Sequence, residues 1–342
     1  MAVPSCLRPA GTANAIGVIG GRAHGSSLAM EVSCMLRSLM LAMSRSDRME
    51  RWLVNSRITR SAVRRFVAGS TVGEAIGAAQ TLIERGVLVT MDLLGEAVQD
   101  NASADRALAG YMELLDKMAA HGIAGSVSIK PTQLGLALNQ ELCRQRLHRL
   151  VASAESHGQI VEIDMEDSRL AQSTLDIYLD VLREHPLTRI ALQAYLHRTA
   201  DDFKTLTDRG GRVRLVKGAY REPETVAITS KRGVDASFLA CTDLGLAKET
   251  VAKGFHLALG THDEAIIEQA LVWVRERGLK PTQFEFQFLY GIRADLQKTL
   301  NEAGWAVRVY VPFGESWYPY FMRRLAERPA NLAFVLKQYF KG

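Results

Sequence analysis

From residue 87 onward, short β-branched apolar runs alternate with stretches of helical periodicity. The runs fall at Val87–Met91, Ser126–Ile129, Ile160–Ile163, Ile190–Gln193, Val213–Val216, His256–Leu259, Phe284–Phe288 and Val307–Val311, and each reads as a strand. Between them the helical stretches include Ser103–Ala120, Gln140–Ser156, Ser168–Glu184, Asp235–Lys253 and Asp263–Arg277. Several segments close on a glycine, the residue that commonly stops a helix: Gly122, Gly158, Gly254, Gly278 and Gly304. Eight strands, each followed by a helix, predict either a closed parallel (βα)8 barrel or a long doubly wound sheet. The chain contains no G-x-G and no G-x-x-x-x-G-K-[ST] motif, so the usual nucleotide fingerprints of the open sheet are missing. Polar residues stand where nearly every strand ends: Asp92, Lys130, Asp164, Gln193, Lys217, Thr261 with His262, Gln287 and Tyr310. In a barrel that end is where the loops converge on one site, whereas an open sheet needs functional residues at only one or two strand ends. The TIM-like barrel is the better reading.

Upstream of the barrel the pattern changes. Residues 1–30 are rich in Gly, Ala and Ser with no acid before Glu31, and read as a disordered tail. Residues 31–72 read as an N-terminal helical arm, and 73–342 as the barrel. The 342 residues are 47% hydrophobic and 23% charged, ordinary globular composition with room for one barrel and an extension. The longest uncharged stretch, Pro9 to Gly21, is shorter than a spanning helix needs, so an integral membrane protein is not expected. Cys6, Cys34, Cys143 and Cys241 are scattered with no C-x-x-C pair, which fits free thiols in a reducing compartment. The formal net charge is +5, and it is concentrated. Met1 to Arg65 holds ten arginines, no lysine and three acids, while the remainder is slightly acidic. That body does not suit nucleic acid; the basic arm reads as a solvated helix face, with anionic lipid as the alternative partner.

The strand ends then bring in chemistry. H-E-x-x-H, G-x-S-x-G and EF-hand patterns are absent, and no metal is expected from the spacing of the histidines. Glu162 and Asp164 share a strand face, which allows a glycosidase-like acid pair, but cations outnumber acids at the other strand ends. Lys130, Arg214 and Lys217 come from three different strands. On a helix beginning near Trp317, Arg323 and Arg324 lie three and four residues after Tyr320, on the face of its ring. Such a set is either a clamp for a small anion with an apolar body or a solvated basic helix face. With the strand-end cations, it suggests a barrel enzyme with a phosphate-bearing cofactor and a carboxylate substrate, and leaves the reaction open.

Five segments carry a resemblance: Val127-Ser-Ile-Lys130, Ile163-Asp-Met-Glu-Asp-Ser168, Arg214-Leu-Val-Lys-Gly-Ala-Tyr220, Phe284-Glu-Phe-Gln-Phe-Leu-Tyr-Gly291 and Tyr318-Pro-Tyr-Phe-Met-Arg-Arg324. Together, in order from about Met35 to the C-terminus, they resemble the FAD-dependent proline dehydrogenases, the single-function bacterial type in particular. The resemblance implies a (βα)8 barrel holding FAD at its C-terminal mouth. It implies oxidation of L-proline to Δ1-pyrroline-5-carboxylate, the first step of proline degradation to glutamate, with electrons passed to a quinone. By motif, Lys130, Arg323 and Arg324 are expected to grip the proline carboxylate, and Tyr310, Tyr320 and Leu289 to pack its ring. Arg214 matches an arginine near flavin N5, and Asp164 an active-site aspartate that orients and balances charge. Met165, Gln193, Lys217, Gly218, Ala219, Thr261 and His262 match flavin contacts. Leu289 also reads as barrel packing, and Thr261 as a helix N-cap. Glu96 matches a glutamate that pairs with Arg323 as a gate over bound proline. The Tyr310 phenol is expected to crowd a 4-hydroxyl and so to favour proline over hydroxyproline. Because the family's acceptor lives in the bilayer, the expected location is cytoplasmic, with peripheral contact of the Met1–Arg65 arm at the inner face of the cell membrane. Three other classes compete: a methylenetetrahydrofolate reductase relative on the same scaffold, a pyridoxal phosphate barrel using Lys130 as Schiff base, and a non-catalytic lipid- or nucleic-acid-binding role for the arm.

Overall fold

Thr71 and Glu74 form a reciprocal capping box, each side chain accepting from the other's backbone amide at 3.2 Å. It opens helix α1, Val72–Ile83, which leads into the barrel. The computed structural model describes residues 63–95 and 97–327. The tail, the arm before residue 63, Glu96, which was expected as a gate, and residues 328–342 lie outside the described residues.

The strands are β1 Leu88–Leu93, β2 Ser126–Ile129, β3 Ile160–Ile163, β4 Arg189–Gln193, β5 Arg212–Val216, β6 His256–Gly260, β7 Phe284–Leu289 and β8 Val307–Phe313. After α1 the helices are α2 Asn101–Ala120, α3 Gln140–Ser156, α4 Ala171–Glu184, α5 Thr199–Asp208, α6 Lys231–Gly245, α7 Lys248–Ala252, α8 Glu264–Glu276, α9 Ala294–Glu302 and α10 Trp317–Glu327. The strands pair in parallel in chain order and close, β1 against β8, with Thr90 opposite Tyr310. The expected (βα)8 barrel is what the chain forms. Side-chain caps start α2, α3 and α6, where Asp100, Asn139 and Ser230 accept amide hydrogen bonds. The five expected stop glycines all take positive φ, between 62° and 88°.

Two helices differ from expectation. Asp235–Lys253 is not one helix but α6 and α7, broken after Gly245. A Cβ at Gly245 would stand 3.0–3.1 Å from Leu257, Phe203 and Phe255, so α6 presses onto the barrel there and must turn away to continue. Ser168–Leu170 forms a separate 3-10 turn before α4, with Asp167 Oδ1 accepting from the Arg169 amide at 3.0 Å.

Strand alternation sorts the core into two layers. Outward residues such as Val89, Met91, Val127, Ile129, Val161 and Ile163 are buried under apolar faces of the helices, for example Leu108, Leu115 and Met118 of α2. Each such side chain contributes about 1.5–3 kcal/mol by leaving water. Inward residues are polar instead: Thr90, Ser126, Ser128, Glu162, Arg189, Arg214, Glu285, Gln287 and Arg308 are all buried. A second apolar cluster ties α10 across one side of the mouth, with Phe321 and Met322 against Phe66, Val67, Leu94 and Ile292.

Candidate active site

The floor of the site is an ion network inside the barrel. Glu162 of β3 is its hub: Oε1 accepts from Thr90, Ser126 and Arg189 Nη1 at 2.9, 2.6 and 3.0 Å, and Oε2 from Arg214 Nη1 at 3.2 Å. Glu285 of β7 takes Arg189 Nη1 at 2.7 Å and Arg308 Nε at 2.8 Å, and Gln287 joins the two glutamates. Burial alone would raise the Glu162 carboxyl, but Arg189, Arg214 and Arg308 outweigh it and hold it down at about 2. His256, at the start of β6, goes the other way. Its burial, reinforced by Arg189, lowers it to about 3, so the imidazole is neutral.

Above this floor the strand ends converge. Arg214 reaches past Glu162 to Asp164 with its other terminal nitrogen and lies 5.3 Å from the Tyr310 ring centroid. Tyr310 donates its hydroxyl to Asp164 Oδ2 at 3.0 Å, and Ser128 donates to Oδ1 at 2.8 Å. Lys130 Nζ stands 3.2 Å from Asp92 and 3.4 Å from Asp164. Despite burial, Arg214 first and Lys130 second keep the Asp164 carboxyl below its ordinary value. Asp164 is therefore an ionised, fully engaged acceptor, suited to fixing charge and poorly suited to taking a proton. Its neighbour Asp92 is raised by burial, against the pull of Lys130. Glu162 and Asp164 do share a face, but Arg214 bridges them, so they are not the free acid pair that a glycosidase uses.

A second group of expected residues lines the β4–β6 side. Gln193, ending β4, donates to the Met165 carbonyl at 3.0 Å and the Glu166 carbonyl at 3.3 Å. Lys217 lies between Asp235 at 2.5 Å and Asp263 at 2.7 Å. Gly218 has φ of 120°, and a Cβ there would enter the Tyr195 ring, so the side chain it must avoid is the protein's own. Ala219 is exposed beside it at the rim. Thr261 accepts from the Asp263 amide at 3.2 Å in the turn before α8, but the N-cap of α8 is Asp263, so Thr261 is not the helix cap expected as its alternative. His262 Nε2 accepts the Leu289 amide hydrogen at 3.1 Å, which fixes that nitrogen as unprotonated and links β6 to β7.

On α10, Arg324 stacks over Tyr320 at 5.1 Å from the ring centroid, and Leu289 packs against the same cluster as Tyr320. Arg323 acts electrostatically on the phenol of Tyr220. Tyr220 as a whole is exposed, but partial loss of water around its phenol, then Glu166 and Asp164, raise it above its ordinary value, while Lys130 and Arg323 act against them. The structure thus brings Lys130, Asp164, Arg214 and Tyr310 into direct contact and sets the α10 residues on one side of them. Sequence reasoning missed the supporting set: Ser128, Arg189, Glu285 and Arg308. For three of them the signal was alternation, two positions before a recognised residue on the same strand (Ser128 with Lys130, Glu285 with Gln287, Arg308 with Tyr310).

A closed parallel barrel with charged side chains gathered at the C-terminal ends of its strands defines the (βα)8 class of enzymes. Within that class, the sequence pattern of the proline dehydrogenase family matches residues 75–337. Proline dehydrogenase 1 of Bacillus subtilis subsp. natto is 39% identical over 307 residues, which are 90% of this chain and 100% of that protein. The proline dehydrogenase of Deinococcus radiodurans is 38% identical over 283 residues, 81% of this chain and 90% of its own. The chain belongs to the proline dehydrogenase family, and its activity is the oxidation of proline in proline catabolism. Among solved structures, the proline utilization A protein (PutA) of Bdellovibrio bacteriovorus inactivated by N-propargylglycine shares the fold, with a TM-score of 0.75 and 23% identity. The match covers 87% of this chain and 37% of that longer one. No helix among the described residues is long and apolar enough to cross a membrane.

Proposed function

We propose that the chain oxidises L-proline to Δ1-pyrroline-5-carboxylate with FAD bound at the barrel mouth, and that the electrons pass on to a quinone. The observation that carries this reading is the contact set Lys130–Asp164–Arg214–Tyr310, formed by two residues that follow β2 and β3 and two from within β5 and β8, in a chain of this family. The residues present suit a flavin. Gln193 Oε1 is a buried acceptor with no hydrogen-bond donor among the described residues, and a flavin ring edge offers an N–H. Arg214 and Lys217 supply positive charge on the side where Gln193 and Met165 lie. FAD, when bound, supplies the two-electron acceptor that takes hydride from C5 of the substrate.

The chain's own residues bind and orient. Lys130, Arg323 and Arg324 hold the carboxylate, while Tyr310, Tyr320 and Leu289 enclose the ring and exclude water from C5. Lys130 is already fixed between Asp92 and Asp164, so it meets the substrate at little cost in rotamer entropy. Arg214, clamped by Glu162 and Asp164, presents a fixed cation where negative charge grows as the C5–H bond breaks and the C5–N double bond forms. Met165, Gln193, Lys217, Gly218, Ala219, Thr261 and His262 form the cofactor side, and Glu96 with Arg323 the gate.

An absorption spectrum of the purified protein before and after anaerobic addition of L-proline tests the reading. A flavin spectrum bleached by proline is expected. A protein that takes up FAD but is not bleached by proline would overturn the assignment of these residues to the reaction.

A further inference from the structure

Away from the mouth, α3 and α4 lie side by side on the outer wall of the barrel, and two histidines meet there. His148 projects from α3, and Glu184 is the last residue of α4. His185 follows as its C-cap, with φ of −128° and ψ of 74°, so the chain has left helical geometry and two adjacent residues converge on one point. One ligand-type atom from each of His148, Glu184 and His185 lies within 4.8 Å of the others. The ring centroids are 5.7 Å apart, and His148 Nδ1 is 3.9 Å from Glu184 Oε2.

The remaining nitrogens are engaged by carboxylates behind the rings. His148 Nε2 is 3.1 Å from Asp180 Oδ2, and Asp180 is itself held by Arg144 Nη1 at 3.0 Å. His185 Nδ1 is 2.7 Å from Glu155 Oε2. Each imidazole therefore commits one nitrogen to a backing carboxylate, the arrangement that fixes the ring orientation and leaves the other nitrogen to a metal. We propose that His148 Nδ1, His185 Nε2 and the Glu184 carboxylate bind one divalent transition-metal ion of the zinc type, with water completing the shell. Two imidazoles and one carboxylate select zinc, cobalt or nickel over the hard cations calcium and magnesium, which need more oxygen ligands. His185 lies between the end of α4 and the start of β4, at the opposite end of the strands from the mouth. The ion clips α3 to α4 and acts on stability, not on the reaction. His148 and the Glu184-His185 pair are far apart in the chain, so sequence spacing held no sign of this site.

The test is a Co2+ titration of the tag-free full-length protein followed by visible absorption, with thermal unfolding in Zn2+ alongside. Expected are ligand-field bands saturating at one ion per chain, a raised Tm, and unchanged kcat and KM for proline. His148→Ala and His185→Ala should each abolish the bands, and Glu155→Gln should weaken binding about 10- to 100-fold. Glu184→Gln, at an exposed position where misfolding is not expected, should weaken it at least about tenfold. Absence of saturable binding by the wild type would overturn the proposal. So would equal binding by wild type and the folded variants, which would place the ion elsewhere in the chain.

Discussion

Arg214 holds two carboxylates at once, Nη1 toward Glu162 and Nη2 toward Asp164, with the Tyr310 ring beneath. A lysine keeps the charge but has one point of attachment, so it satisfies one partner and leaves the other buried and unpaired. Arg214→Lys is expected to lower kcat for proline by about 10²-fold or more, the usual loss when a preorganised charge-stabilising group is removed. Steady-state kinetics check this, and a kcat within threefold of wild type would remove Arg214 from the reaction. At this scale the sequence was uneven. Lys130 and Asp164 were legible because they follow strands and sit in motifs, Arg214 because it opens a motif, and Tyr310 as the polar residue near the end of the last apolar run. Arg189 was not: a charged residue directly before an apolar run looks like the end of a loop, yet Arg189 is 1% exposed and ties Glu162 to Glu285. Only the closed barrel, which turns every second strand residue toward one axis, makes that burial tolerable.

Among the elements, all eight strands were readable because the runs are short and apolar, and several are set off by glycine stops. The break between α6 and α7 was not, since its cause is the close approach of Gly245 to Phe203, Phe255 and Leu257, residues from elsewhere in the chain. The loop after β5 depends on backbone conformation in a way that substitution can probe. Gly218 needs a φ that side chains disfavour and faces the Tyr195 ring. Gly218→Ala is expected to cost about 1–3 kcal/mol of local strain and to move the loop. The measurement is the flavin-to-protein ratio of the purified variant together with its Tm. A wild-type ratio would show that the backbone at 218 does not approach the cofactor.

For the whole molecule, the polar barrel interior makes stability depend on acidity. His256 is held near 3, below its ordinary value of 6.5. Between those values the unfolded chain takes up a proton that the folded protein refuses, so stability falls as pH falls from 6.5. Glu162, held at about 2 against an ordinary 4.5, adds a second loss as pH falls below 4.5, and Glu285 acts in the same direction. Tm should therefore decline gently from pH 6.5 and steeply below 4.5, and His256→Asn should flatten the first part while leaving the second. A first part unchanged in the folded variant would assign it to other groups. Barrel closure has a further consequence, for the chain as it is made. β1 is among the first elements of the described chain, yet its partner β8 comes almost last, and β8 carries the Tyr310 that seats Asp164. A nascent chain still lacking β8 has two open strand edges and an incomplete site. The site is therefore complete only after β8 and α10 have joined the barrel. A product of early termination offers chaperones and proteases two unpaired edges in place of an enzyme.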